Sequence, residues 1–104
     1  MSLLGLARRA GRLAPGHDTA LESVRKNKAK LLLFSSDASD RLKREMTREA
    51  ERHGAPCREL KETMDEIHFS LGCRAGVLAV NDMNFAARLI QLLEQEENAY
   101  GDKN

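Results

Sequence analysis

The sequence predicts an α/β fold: a three-layer α-β-α sandwich with a mixed sheet of about four short strands. Three observations carry this expectation. Leu31–Phe34 is a continuous apolar run, too short for a lone helix and without alternation, which suits a strand buried on both faces. Gly76–Val80 is a second apolar run, with β-branched residues. Around these runs lie stretches whose apolar residues recur every three or four positions, each bounded by capping or turn residues. Helices that alternate with short strands cover both faces of one sheet.

In order along the chain, Leu3, Leu4, Leu6, Ala7 and Ala10 make a short one-sided helix behind Ser2, with Gly11 placed to end it. Arg12–Ala14 leads into Pro15, which pushes its predecessor towards extended geometry, so a brief edge strand fits. Gly16 permits a tight turn with positive φ. From Asp18 a second helix points Ala20, Leu21 and Val24 inward, and Asn27 stops it in a left-handed conformation. After the central strand, Ser35, Ser36, Asp37 and Ser39 offer acceptors to the amides of a third helix. Its inner stripe is Leu42, Met46, Ala50 and His53, and Gly54 and Pro56 close it. Cys57–Leu60 is a short strand. Thr63 and Glu66 form a capping box for a fourth helix that buries Ile67, Phe69, Ser70 and Leu71 and ends near Gly72. Asn81 or Asp82 caps a last helix with Phe85, Leu89, Leu92 and Leu93 inward. The expected organisation is one domain over residues 1–95 and a polar tail over 96–104.

The totals exclude several classes of function. No apolar run approaches the roughly 20 residues that cross a bilayer, so no membrane association is expected. Arg8 and Arg9 follow a few apolar residues, the reverse of the order in a secretion signal, which points to the cytoplasm. Cys57 and Cys73 stand alone without a CxxC pair, and the 3 histidines add no metal-ligand spacing and no nucleophile-base pair. Neither an enzyme nor a cofactor, metal or small-molecule substrate is therefore expected. The net charge of +1 hides an asymmetry: residues 1–50 hold 11 basic against 6 acidic residues (+5), and residues 51–104 hold 6 against 10 (−4). An anionic partner should meet the first half.

At Gly16–Ser39 a glycine opening a helix, a basic turn and the run AKLLLFSSDAS follow one another. Together with LLGLARRAGRLAPG at the start, EIHFSLG in the fourth helix and GVLAVNDMNFA near the end, this resembles the L7Ae/L30e/S12e/Gadd45 ribosomal-protein family. The likeness is greatest to its small bacterial YlxQ-type branch and spans Leu3 to about Leu93. What the resemblance implies is a kink-turn RNA-binding fold, with kink-turn or ribosomal RNA as partner. In that family a turn and the start of the second helix enter the groove of a sharply bent RNA. The family motif runs glycine, any residue, asparagine, glutamate, two more, then lysine. Gly16 matches the glycine, whereas Asp18 stands at the asparagine, Thr19 at the glutamate and Glu22 at the lysine. A carboxylate at Glu22 accepts where lysine donates to guanine, removing a contact of about 1 to 3 kcal/mol and repelling phosphate. The family's second RNA-facing element, the loop after the fourth helix, falls on Gly72, Cys73, Arg74 and Ala75, where Arg74 would stack on a base or pair with phosphate.

The expected RNA-facing residues are thus Gly16, His17, Asp18, Thr19, Arg25, Lys26, Cys73, Arg74 and Ala75. Each has a plainer role open to it. Gly16 serves as a turn glycine in any fold, His17 as an exposed turn residue, and Asp18 as an N-cap. Glu22 pairs with Lys26 one turn on, for about 0.3 to 0.5 kcal/mol. Arg8, Arg9, Arg12, Arg25, Lys26 and Lys28 form one basic surface if the first two helices pack side by side. The charges of Asp40–Glu49 read as a surface paired with itself along the third helix. The alternative function, favoured by Asp18, Thr19 and Glu22, is a protein-interaction adaptor on the same fold that has lost kink-turn binding.

Overall fold

The computed structural model describes the backbone of residues 2–101 and the side chains of residues 3–95. Nine elements follow in order: α1 Ser2–Arg9, β1 Leu13–Pro15, α2 His17–Arg25, β2 Leu31–Phe34, α3 Asp40–Arg52, β3 Cys57–Glu59, α4 Met64–Leu71, β4 Val77–Val80 and α5 Met83–Gly101. The strands form one open mixed sheet in the order β1-β4-β2-β3. β4 runs antiparallel to both β1 and β2, with Val80 opposite Leu13 on one side and Leu31 on the other. β3 lies parallel to β2, with Cys57 opposite Leu32.

Alternation along the two central strands sorts the core into halves. Leu32, Phe34, Val77 and Ala79 face α2 and α3, where they meet Ala20, Val24, Met46 and Ala50. Leu31, Leu33, Leu78 and Val80 face α1, α4 and α5, where they meet Leu4, Ile67, Ala86 and Leu89. All four residues of β2 are buried, as a strand covered on both faces requires. At about 1.5 to 3 kcal/mol for each fully buried large aliphatic side chain, these two strands are the main source of stability.

Side-chain caps set the helix starts. Leu42 N donates to Ser39 Oγ at 3.1 Å, Phe85 N donates to Asp82 Oδ1 at 2.9 Å, and Thr63 and Glu66 complete a reciprocal box. Asn27 takes φ +60°, the left-handed stop that the sequence predicts.

Four expectations need correction. α1 and α2 do not pack side by side: Leu4 and Ala7 send α1 to the opposite face of the sheet from α2, so the basic residues of the first 28 positions divide between two faces. Phe69 is 93% exposed and Ser70 is exposed, because with Ile67 and Leu71 turned to the core Phe69 falls on the outer side of α4. His53 leaves the inner stripe of α3, since it is the C-cap residue and its ring is bonded to Asn27 Oδ1 at 2.9 Å. Leu92, 44% exposed, gives way to Ile90, which packs with Phe85, Leu89 and Leu93 against the core. The α5 backbone is helical through Gly101, and residues 102–104 of the expected tail lie outside the described residues.

Candidate nucleic-acid interface

The topology gathers loops at one end of the sheet. β1, β2 and β3 run in the same direction, since β1 and β2 are both antiparallel to β4 and β3 is parallel to β2. Their C-terminal ends feed α2, α3 and α4, while β4 begins at that end after the Gly72–Gly76 loop. Three helix N-termini, each the positive end of a helix dipole, therefore sit beside that loop, those of α3 and α4 capped by side chains and that of α2 without such a cap. Ligands of open α/β sheets are commonly held at such strand ends.

Gly16 makes the entry to α2. Its φ of 93° and ψ of 161° lie in a region that only glycine occupies without strain. A Cβ here would meet no atom within 4 Å, so the requirement is conformational and not spatial. Gly16 N donates to Val77 O at 2.9 Å, which ties the turn to the first residue of β4 and hence to the loop before it. Gly16 is the N-cap, displacing Asp18 from the role expected of it, and contributes no side-chain acceptor. The amides of His17, Asp18 and Thr19 thus begin α2 without a side-chain cap, the arrangement that receives an anion. Ala20 N is the first amide to bond back, to Gly16 O at 2.9 Å.

The side chains around that turn carry opposing charges. His17 lies between two carboxylates, with Nδ1 2.9 Å from Asp18 Oδ1 and Nε2 2.8 Å from Glu45 Oε1. Hydrogen bonds to Asp18 first and Glu45 second hold its pKa above the ordinary value, outweighing a slight desolvation. Asp18, Thr19 and Glu22 are exposed on the outer side of α2, and Glu22 pairs with Lys26 at 3.6 Å. Arg25 and Lys26 close the far end of α2, about 13 Å of helix from Gly16. Arg25 Nε is bonded to Glu49 Oε1 at 3.3 Å.

The second loop turns at Gly72, a left-handed C-cap with φ 79° whose N–H donates to His68 O at 2.9 Å. Arg74 stands half out of the surface and is steered by Asp65 Oδ1, 3.1 Å from Nε, and by Met64 Sδ, 3.8 Å from Nη1. Cys73 is half-buried, and Ala75 is 5% exposed and anchors the loop in the core. Asp37 fixes the neighbouring helix by accepting Met64 N at 3.0 Å; that backbone bond is the main cause of its lowered pKa.

The structure therefore brings Gly16–Thr19 and Cys73–Ala75 to one end of the sheet and leaves Arg25 and Lys26 at the other end of α2. Sequence spacing gave no sign of Glu45 and Glu49, which reach from α3 to His17 and Arg25. Nor did it show Asp37 and Asp65, which position α4 and Arg74. The charges of α3 are largely not paired among themselves as expected: among the described residues Lys43 goes to Glu59 at 3.1 Å, while Arg52–Glu49, at 3.5 Å, stays within the helix. Among the described residues no group of three or more His, Cys, Asp or Glu side chains is placed to hold a metal. Burial pushes the Cys57 thiol up, away from the thiolate a nucleophile needs. No described helix is long and apolar enough to cross a membrane.

No protein-family model matches the chain. Two curated relatives match it over nearly their whole length. One is RNA-binding protein YlxQ of Enterococcus faecium, 33% identical over 94 residues covering 90% of each chain. Another is RNA-binding protein YlxQ of Bacillus subtilis strain 168, 36% identical over 93 residues covering 88% of this chain and 92% of that one. Among solved structures, a protein of unknown function from Bacillus halodurans superposes with a TM-score of 0.83 at 26% identity, over 89% of this chain and 94% of that chain. The Giardia lamblia 15.5 kD RNA-binding protein superposes with a TM-score of 0.70 over 89% of this chain and 82% of that chain, which at 17% identity speaks for the fold. With a third of its residues shared along nine-tenths of its length, the chain belongs to the YlxQ family.

Proposed function

We propose that this protein is a non-catalytic RNA-binding protein that holds a bent, kink-turn-like RNA, ribosomal or other, across the strand ends, between the start of α2 and the Gly72–Ala75 loop. The observation that carries the reading is the bond from Gly16 N to Val77 O, which fastens the uncapped amides of α2 beside that loop. In the reading, those amides receive a phosphate and Arg74 stacks on or pairs with the strand across the bend. Relatives named as RNA-binding proteins support RNA as the partner. The departures at Asp18, Thr19 and Glu22 weaken base readout from α2, so affinity depends on phosphate contacts more than in a protein with the full motif. A protein-interaction adaptor in the cytoplasm is the second reading, favoured by the outward carboxylates of Asp18 and Glu22.

Amide chemical shifts of the 15N-labelled protein titrated with a kink-turn RNA test the placement. The expected changes concentrate at Gly16–Thr19 and Cys73–Ala75. Changes confined to α1 and α5, on the other face, would remove the site from the strand ends.

A further inference from the structure

The outer face of α3 carries Arg41, Arg44 and Arg48 at intervals of three and four, so their guanidiniums stand on one ridge with a rise of about 10 Å. All three are exposed, and among the described residues none of them forms an ion pair or hydrogen bond. Spacing along the helix would pair them, since Glu45 lies four residues after Arg41 and three before Arg48. Tertiary contacts take the acids away. Glu45 reaches His17 at 2.8 Å, and Glu49 is shared by Arg25 at 3.3 Å and Arg52 at 3.5 Å. Asp40 and Glu51 stand at the two ends of the ridge, and Glu45 and Glu49 still line one of its grooves, but among the described residues no acid comes within ion-pair distance of Arg41, Arg44 or Arg48. Shallow grooves run along both sides, and Arg44 and Arg48 line both of them. The ridge starts beside Ser39, at the same end of the sheet as Gly16, and follows the helix that packs against α2.

Unpaired, regularly spaced guanidinium forks match phosphate oxygens in charge and geometry. We infer that the Arg41–Arg44–Arg48 ridge is a second RNA contact, a track for the phosphate backbone that holds a helical arm of RNA beside the Gly16 turn without reading its sequence. The inference rests on RNA binding as the function, but not on recognition of a bend. The acids that hold α2 against α3 thereby also free the arginines to face the backbone.

The test is fluorescence anisotropy across a range of salt concentrations, with a plain RNA duplex of about 20 base pairs and a kink-turn RNA flanked by long arms. The parent is compared with the triple variant Arg41→Gln, Arg44→Gln, Arg48→Gln and with the corresponding triple lysine variant. For the glutamine variant, the slope of log affinity against log salt should fall by about 2 to 3, at roughly 0.7 to 0.9 per phosphate contact. Affinity for the duplex should fall at least tenfold, while the preference between the two RNAs stays as in the parent. The lysine variant should keep the slope, which separates lost charge from a damaged fold. A parent that binds both RNAs while the glutamine variant keeps the parental slope overturns the ridge and leaves RNA binding at the strand ends standing. A parent that binds neither overturns both readings. A glutamine variant that keeps RNA but loses a poly-glutamate peptide bound by the parent overturns the inference in favour of an acidic protein partner.

Discussion

His17 shows how one residue joins the local and tertiary structure of the candidate site. Its ring is bonded on one side within its own turn, to Asp18, and on the other to Glu45 of α3. Both carboxylates favour the imidazolium, so the folded pKa lies above the ordinary 6.5. By linkage, the stabilisation from this cluster is complete below 6.5, the unfolded value, and is lost as pH rises through the folded value. An NMR titration of the His17 ring should give a midpoint above 6.5, lowered by Asp18→Asn and by Glu45→Gln. A midpoint at or below 6.5 in the parent would mean that the ring does not hold these carboxylates in solution. The glycine of this turn was legible in the sequence because Gly16 followed by a helical pattern implies positive φ. Glu45 was not legible, because a partner 28 positions away leaves no trace in local spacing. Asp18 misled for a related reason: it has the chemistry of an N-cap, but the helix starts two residues earlier than its position would require, at His17 with Gly16 as the N-cap.

Among the elements, β2 is where sequence and structure agree most closely. A four-residue run with no polar member can only be a strand if both faces are covered, and all four side chains are buried. Leu32 is 0% exposed and Leu6 is 52% exposed, which gives a matched pair of positions. Leu32→Asp places an unpaired charge in the core and should cost about 4 kcal/mol or more, enough to abolish the cooperative thermal transition of a domain this small. Leu6→Asp should stay within about 0.5 kcal/mol of the parent. Equal melting temperatures for the two variants would remove β2 from the centre of the fold. Caps at Ser39 and Thr63 were equally readable, because a hydroxyl three residues before an orphan amide is a local pattern. Phe69 was not: α4 is short, and periodicity over two turns does not distinguish its inner from its outer side.

At the scale of the molecule, the three layers follow from the alternation of helices and strands, but which helix lies on which face does not. α1 and α2 each carry an apolar stripe, and only the register of β2 and β4 decides that Leu4 meets one set of residues and Val24 the other. That assignment divides the basic residues of the first half. Arg8 bonds to Leu71 O at 3.0 Å and Arg12 approaches Asp82 at 4.0 Å on the α1 side, while among the described residues Arg41, Arg44 and Arg48 have no ion-pair partner on α3. On the proposed reading, electrostatic attraction to RNA and selection of its shape would belong to neighbouring but separable surfaces. The shared direction of β1, β2 and β3 brings the Gly16 turn and the Gly72–Ala75 loop to one end of the sheet.

Recognition of a bent RNA by that end is tested most directly by titrating the parent protein, at several salt concentrations, with a kink-turn RNA and an unkinked duplex of equal length. The preference for the kinked RNA should persist as salt weakens both affinities, because contacts at the two loops depend on the bend while backbone contacts do not. Binding that fades with salt to the same extent for both RNAs, with no preference at any concentration, would contradict the account.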